Sequence, residues 1–332
     1  MSALYLTLFR MTLCLHDAST GSARDLPPAA PGRVSVCLQV VSRPREEHVG
    51  HVRPAVSLDI LVRWLEASGY QVTYSRGALV RADDLLGCRP PDVETHPPGR
   101  LPGRGEAEPA AVLQIHVGGG HKARYRMDLS RAEPAVPVNE ALSRARPQEL
   151  RYYLVRTHYR SMIKYSDEDI EEAATDYQGI ERFVARARRM PGISRALAAE
   201  RDLPGLPLSF IAAMDDDLDV PAALASVHAT VHDGNYAIGS GDRDTVVSSL
   251  GQVRSMLGIL GLDPLHPRWA PPDSSDRLYD VIDALVDLAL RQWAAARDRG
   301  DYSAADSIRE ALEGVGVVFD ESSAGPRWEL KR

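Results

Sequence analysis

Residues 48–54 read HVGHVRP. Two imidazoles flank a Val-Gly pair, and an arginine and a proline follow. Imidazoles can donate hydrogen bonds to phosphate oxygens, and a glycine lets a ligand approach the backbone closely. Such a string grips an anion best where a strand gives way to a helix. There the first backbone N–H groups are free and the helix dipole favours negative charge. In isolation the string describes a solvated turn as well as it describes a nucleotide corner.

Other chemistry-bearing residues are sparse. Cys37 lies ahead of the histidines, and His116 and His121 follow later. One thiolate and one or two imidazoles fall short of the about three protein ligands of a catalytic zinc site. A packed strand residue is the simpler reading of Cys37. MDDDLD at 214–219 is either a cation site or the cap and first-turn charge of the next helix. Arg182, Arg186, Arg188 and Arg189 cluster along one helical stretch, near Arg151, Arg156, Arg160 and Lys164. They form either a phosphate-contacting patch or a solvated face, since seven acidic residues lie between 167 and 181.

The elements that must hold these groups follow from hydropathy. RVSVCLQVV at 33–41 is β-branched and alternating, a buried strand. Pro54 opens a helix in which Val56, Ile60, Trp64 and Ala67 recur at helical spacing, with Gly69 at its stop. YQVTY at 70–74 is a second strand, which gives one βαβ unit of a parallel sheet with HVGH at its first turn. Residues 87–109 are dense in Pro and Gly and read as a disordered excursion. AAVLQIHV at 110–117 recovers strand character, and an irregular stretch then runs to about residue 138.

From 139 the pattern is helical. Ser166 caps a helix with the stripe Ile170, Ala173, Ala174, Tyr177, Ile180, Phe183 and Val184. Asp219 caps another, and Val246, Leu250, Val253, Leu257 and Leu260 mark a third. A linker at 261–276 precedes a helical pair near 277–299 and 303–313 and a small terminal hairpin. The expected organisation is an α/β domain over 1–138, a helical bundle over 139–262 and a compact module over 276–332. Trp64, Trp269, Trp293 and Trp328 are expected in cores or packed linkers.

Composition sets broad limits. The 332 residues carry 44% hydrophobic and 26% charged side chains, an ordinary globular balance. The net charge of −7 is uneven: 18 Lys and Arg face 16 Asp and Glu in 1–150, against 21 and 30 in the remainder. Global charge therefore gives no support to nucleic-acid binding, which needs a local basic patch. No apolar run approaches the ~20 residues that span a bilayer, and the N-terminal stretch lacks the features of a signal peptide. Three well-separated cysteines point to a reducing cytoplasm. A monomer is expected, with no membrane partner.

HVGHVRP resembles the HIGH motif of class I aminoacyl-tRNA synthetases. More narrowly, VCLQV…EHVGHVRPAVSLDILVRWLEASGYQVTY resembles the N-terminal part of cysteinyl-tRNA synthetases, as does the opening LYLTLFR. RPQELRYYLVRTHYRSMIKYSDEDIEEAATDYQGIERFVARA, FIAAMDDDLDVPAAL and RDRGDYSAADSIREALEGVGVVFDESSAGPRWEL are similar to later stretches of that family. The likeness covers 1–86 and 139–332. It implies a class I fold: an abridged Rossmann-like catalytic domain, a helical-bundle (DALR-like) tRNA-binding domain and a small C-terminal module. It also implies the family's chemistry, ATP-dependent ligation of cysteine to tRNA.

By the same resemblance His48, Gly50 and His51 contact ATP, and Arg126 and Met127 are the remnant of the KMSKS loop. His116 lines the amino-acid pocket and Cys37 is the first zinc ligand. The bundle, with Arg182, Arg186, Arg188 and Arg189, contacts tRNA. The chain also departs from the family. Its CGPTVYD segment reads CLQVVSRPREE here, and the second zinc cysteine and the later His-His-Glu-Asn-Glu segment have no counterpart. Asp128 and Leu129 stand where KMSKS has a serine and its second lysine, and an aspartate there repels pyrophosphate. Asp83 and Asp84 match an Asp-Asp pair that has lost its accompanying threonine and asparagine. Only 74 residues separate His51 from Arg126, too few for a complete class I sheet. The implied protein is a synthetase relative whose aminoacylation is lost or reduced. The alternatives are a tRNA- or protein-binding accessory and an adenylating ligase for another acceptor.

Overall fold

The computed structural model describes residues 13–26, 33–40, 48–77, 86–88, 93–95, 111–117, 125–129, 132–133, 136–190, 193, 205–269, 275–315, 317–322 and 325–330. Two compact units divide the chain: 1–183 with 202–269, and 184–201 with 270–332.

The first unit is built on a five-stranded sheet. Strand β1 (Cys14–Asp17) and β2 (Ser22–Asp25) form a separate hairpin. The sheet proper contains β3 (Arg33–Val40), β4 (Gln71–Gly77), β5 (Val93–Thr95), β6 (Ala111–Val117) and β7 (Tyr125–Leu129), in the order β5-β4-β3-β6-β7. Helix α1 (Val49–Ala67) joins β3 to β4, which pair in parallel, so the expected βαβ unit is formed. The sheet as a whole is mixed. β6 runs antiparallel to β3 from Val34↔Val117 to Val40↔Ala111, and β7 runs antiparallel to β6.

Two sequence readings need correction here. The stretch after residue 117 was expected to be irregular, yet β7 and the short β8 (Ala132–Glu133) lie within it. YRMDL is too short and too polar to announce a strand; its ladder with β6 supplies what its composition does not. Within the Pro/Gly-rich stretch, Leu86–Cys88 is an ordered turn and β5 pairs with β4.

Helix α1 starts at Val49, so HVGH is its first turn and Pro54 lies inside it. Local propensity would not place the start there, because Pro54 cannot donate to the carbonyl of Gly50. Tertiary ties hold the turn instead. The Val49 N–H donates to the Val136 carbonyl at 2.9 Å, and His48 bridges Pro137. Arg53, 2% exposed, donates to the carbonyls of Ser161 (2.6 Å), His158 (2.7 Å) and Thr157 (2.9 Å). Burial pulls its guanidinium down to about 10, still cationic at neutral pH.

The bundle follows as α2 (Val138–Arg144), α3 (Pro147–Val155), β9 (Ile163–Lys164), α4 (Asp167–Arg188), α5 (Leu208–Asp215), α6 (Val220–Ser240) and α7 (Arg243–Leu260). Ser166 Oγ accepts the Asp169 N–H and caps α4, and Asp219 caps α6 through the Ala222 N–H. The stripes read from sequence are buried: Ile170, Tyr177, Phe183, Val246, Leu250 and Leu257 are each at most 1% exposed.

Helix α1 touches β3, β4 and β6 on one side and α3 and α7 on the other. Most of its residues are buried, Glu66 near its end being exposed, which explains why an apolar stripe alone understates it. Asp59 at its middle is met by Arg151 of α3, whose side chain is fully buried. The Arg151 guanidinium donates to Asp59 at 2.6 Å, to the Leu260 carbonyl at 2.9 Å and to the Leu86 carbonyl at 3.0 Å. Arg63 reaches the same carboxylate at 2.9 Å. The two guanidiniums hold the Asp59 carboxyl below the ordinary range against the opposing effect of burial. Gly261 closes the cage: at φ +69° it ends α7, and a Cβ there would collide with the Arg151 guanidinium.

The second unit contains α8 (Ser275–Asp298), α9 (Tyr302–Gly314) and the hairpin of β10 (Val317–Ser322) and β11 (Gly325–Leu330). Its core gathers Val286, Leu290, Trp293, Ala296, Ala305, Leu312, Val317 and Phe319. Trp293 and Phe319 meet edge to face at 5.1 Å, and Arg309 lies over both rings. Among the described residues no helix is long and apolar enough to cross a membrane.

Arg151→Met takes a fully buried guanidinium away from the buried Asp59 carboxylate and is expected to destabilise the protein by about 3–5 kcal/mol. Gly261→Ala, which drives a methyl into the same guanidinium, is expected to lower stability as well. Urea unfolding followed by far-UV circular dichroism checks both; midpoints equal to that of the parent protein would contradict the cage.

Candidate functional site

The corner lies where sequence places it, after β3 and at the head of α1. His48 is the N-cap residue with extended backbone (φ −103°, ψ 153°), and Gly50 is buried in the first turn. The first helical N–H is engaged by Val136, which leaves later amides of that turn as the groups able to meet an anion. Arg53, the arginine of HVGHVRP, is a clamp: its three carbonyl partners all lie in the turn after α3. Sequence reading gave it no role. The signal was an arginine in the first turns of the helix, directly before Pro54.

Arg126 and Met127 lie in β7. Arg126 is half-buried and its backbone N–H donates to Asp17 Oδ1 at 3.2 Å, while Met127 is 1% exposed. Met127 lines a cavity of about 20 Å³ together with Ile60 of α1, Leu154 and Tyr159. Cys37 is half-buried in β3 opposite Gln114, and His116 sits two rungs away opposite Ser35. Among the described residues no group of three or more His, Cys, Asp or Glu gathers. His121 and the Asp83–Asp84 pair lie outside the described residues.

Along α4 and just past its end, Arg182, Arg186 and Arg189 are exposed and Arg188 is half-buried. Their suggested neighbours are committed elsewhere. Arg151 is interior, Arg156 meets Glu172 at 2.6 Å, and Arg160 meets Asp217 at 2.9 Å. The interior Arg151 is therefore excluded from any basic patch.

The aspartate run is divided among three tasks. Asp219 caps α6, as the helical reading of MDDDLD expected. Asp217, at φ +53°, accepts the His16 N–H at 2.7 Å and the Tyr159 hydroxyl at 2.6 Å, and its own N–H donates to the Cys14 carbonyl at 2.9 Å. It ties β1, the turn after α3 and the α5–α6 junction at one point. A left-handed backbone is uncommon outside glycine, and Asp is among the residues that tolerate it. Asp215 is 7% exposed and accepts the Trp64 indole N–H at 3.0 Å. Burial raises its carboxyl to about 6, against a smaller opposing effect of that hydrogen bond.

Residues 209–264, spanning α5 to α7, match the family model described as DALR domain. The chain is 30% identical to the cysteine–tRNA ligase of Streptomyces avermitilis, with 96% of this chain and 99% of that protein covered. The same identity and share of this chain hold for the cysteine–tRNA ligases of Streptomyces griseus subsp. griseus, covered to 99%, and Streptomyces coelicolor, covered to 76%. The chain belongs to the cysteinyl-tRNA synthetase family. Members of this family named above align over 469 positions with these 332 residues, so more than a quarter of the aligned positions face a gap here. The mixed α/β portion and the helical bundle fit a class I synthetase.

The Asp215 carboxyl sets a pH dependence. Folded protein holds its proton up to about pH 6, whereas the unfolded chain releases it near 3.8. This group's contribution therefore declines as pH rises from about 4 to 6 and is constant above. Asp215→Asn keeps an acceptor for Trp64 and removes the titration. Its thermal midpoint is expected to exceed the parent's at pH 7–8 and to match it below pH 4; a constant difference at all pH values would contradict the assignment.

Proposed function

We propose that this synthetase-family chain binds tRNA through its helical bundle and has lost the activation of cysteine. The observation that carries the reading is the state of the KMSKS position. In the family a lysine-bearing loop assists the departing pyrophosphate. Here the matching residues form strand β7, with Met127 buried and Asp128 and Leu129 in place of a serine and a lysine. A paired strand with a buried anchor is poorly suited to folding over a nucleotide, and an aspartate opposes the negative charge that develops there. The gaps against the ligases support the same reading. Groups that act together in catalysis lose most of the rate when one is removed.

The partner is tRNA, supported by the DALR match and by the name of the relatives, which join cysteine to tRNA. The exposed arginines at the end of α4 would meet phosphates, and the chain would act in the cytoplasm. The domain limits that fit this reading are 1–138, 139–262 and 276–332.

A second reading, an ATP-dependent ligase for an acceptor other than tRNA, is favoured by one observation. The HVGH corner keeps its place at the head of α1, with Gly50 in the first turn. In that case His48, Gly50 and His51 would hold ATP, and His116 would line the pocket of the acid to be activated.

Cysteine-dependent exchange of pyrophosphate into ATP separates the two. No exchange above background is expected. Exchange that disappears in His48→Ala or His51→Ala would contradict the loss of cysteine activation and leave the acceptor to be identified. Separately, tRNA binding is expected to weaken steeply between 50 and 200 mM salt, and Arg182→Ala/Arg186→Ala/Arg189→Ala is expected to reduce the salt slope by about two to three. Filter binding checks this; a slope unchanged by the triple substitution would remove α4 from the interface.

A further inference from the structure

A second cavity lies far from the corner. It has a volume of about 310 Å³ and is lined by Arg63 from α1, the Gly87 turn, the end of α7 and the segment after it, including Asp263, His266, Arg268 and Trp269. Fifteen residues of α1 separate His48 from Arg63, about 22 Å along the helix axis, so the corner and this cavity are distinct places. The volume is in the range that holds small ligands.

Its charge is unbalanced toward the positive. Arg63 and Arg151 share one carboxylate, Asp59, and Asp263 is matched by Arg254 at 3.1 Å. Arg268 is exposed, and its guanidinium donates to the Cys88 carbonyl at 3.1 Å. These named groups therefore sum to two excess positive charges, in a chain whose net charge is −7. The local imbalance runs against the overall sign. His266 accepts the Arg268 N–H on Nδ1 at 3.2 Å, so its neutral ring carries the proton on Nε2 as a donor. Burial, with Arg63 and Arg268 nearby, lowers the imidazole's proton affinity. Trp269 is half-buried with one part of its indole against Gly87, where any Cβ would clash with the ring at 2.6 Å. That packing fixes the indole at the cavity wall.

We propose that this cavity is a nucleotide site, in which Arg63, Arg268 and His266 take the phosphate and the fixed indole of Trp269 takes the base. Guanidinium forks match phosphate oxygens, and a fixed indole offers a flat face for stacking. The nucleotide is either free or part of an RNA strand. The site stands independently of the HVGH corner and of any ligase or tRNA function assigned above.

The test is isothermal titration of the full chain at low ionic strength with AMP and, separately, with a single-stranded RNA pentamer. Arg268→Ala, Trp269→Leu and His48→Ala are titrated in parallel. At least one probe is expected to bind, with affinity reduced about tenfold by Arg268→Ala. Trp269→Leu is expected to weaken it too, and His48→Ala to leave it intact. Binding of AMP identifies a free nucleotide; binding of the pentamer alone identifies RNA. Because Trp269→Leu disturbs packing against Gly87, a readout on the parent protein accompanies it. The His266 imidazole resonance, assigned by its loss in His266→Gln, is expected to titrate at higher pH when the probe is bound. No binding of either probe, binding indifferent to Arg268→Ala, or binding lost only in His48→Ala would overturn the proposal.

Discussion

One buried carboxylate organises the first unit. Asp59 sits buried in the middle of a helix packed against both sheet and bundle, where its charge is shielded from water. Two guanidiniums do so instead, from α1 itself and from α3. Arg151 then spends its other donors on the end of α7 and on the Leu86 turn. Ion pairs of this kind are weak evidence for stability, because desolvation offsets much of the attraction. What they impose is register. Sheet, turn and bundle must arrive at one place together, or a charge is left buried and unmatched.

This constraint explains how the chain tolerates the loss of so much of a synthetase. Helix α1 belongs to the α/β portion by its strands and to the bundle by its packing. Arg53 at its head and the Asp59 cage at its middle fasten it twice to the segment around α3. Asp217 adds a third tie, between that segment and β1. Positions missing relative to the ligases can therefore be removed without freeing the bundle. Binding surfaces survive on such a frame more readily than catalysis, which needs a mobile loop, a metal and a nucleotide aligned at once.

The sequence made the frame legible where periodicity was strong. The strand at 33–40, the helix through Trp64, the Ser166 and Asp219 caps and the terminal helical pair all follow from spacing and capping chemistry. HVGH was locatable because a strand precedes it and an apolar helix follows. Strand β7 escaped notice because its pairing, and not its composition, makes it a strand. Arg53, Arg151 and Asp217 escaped for a related reason: a charged residue is read as exposed by default, and only tertiary structure reveals the carbonyls and carboxylates that bury it. Arg151, taken from sequence as a neighbour of a surface patch, is the most buried arginine in the first unit among the described residues.

The proposed function has this chain keep a synthetase's grip on tRNA without its power to charge it. The most direct measurement follows both properties in one sample: retention of tRNA(Cys) on a filter, and acid-gel separation of charged from uncharged tRNA after incubation with ATP and cysteine. Retained tRNA that stays uncharged is the predicted result. Accumulation of cysteinyl-tRNA with turnover would contradict it.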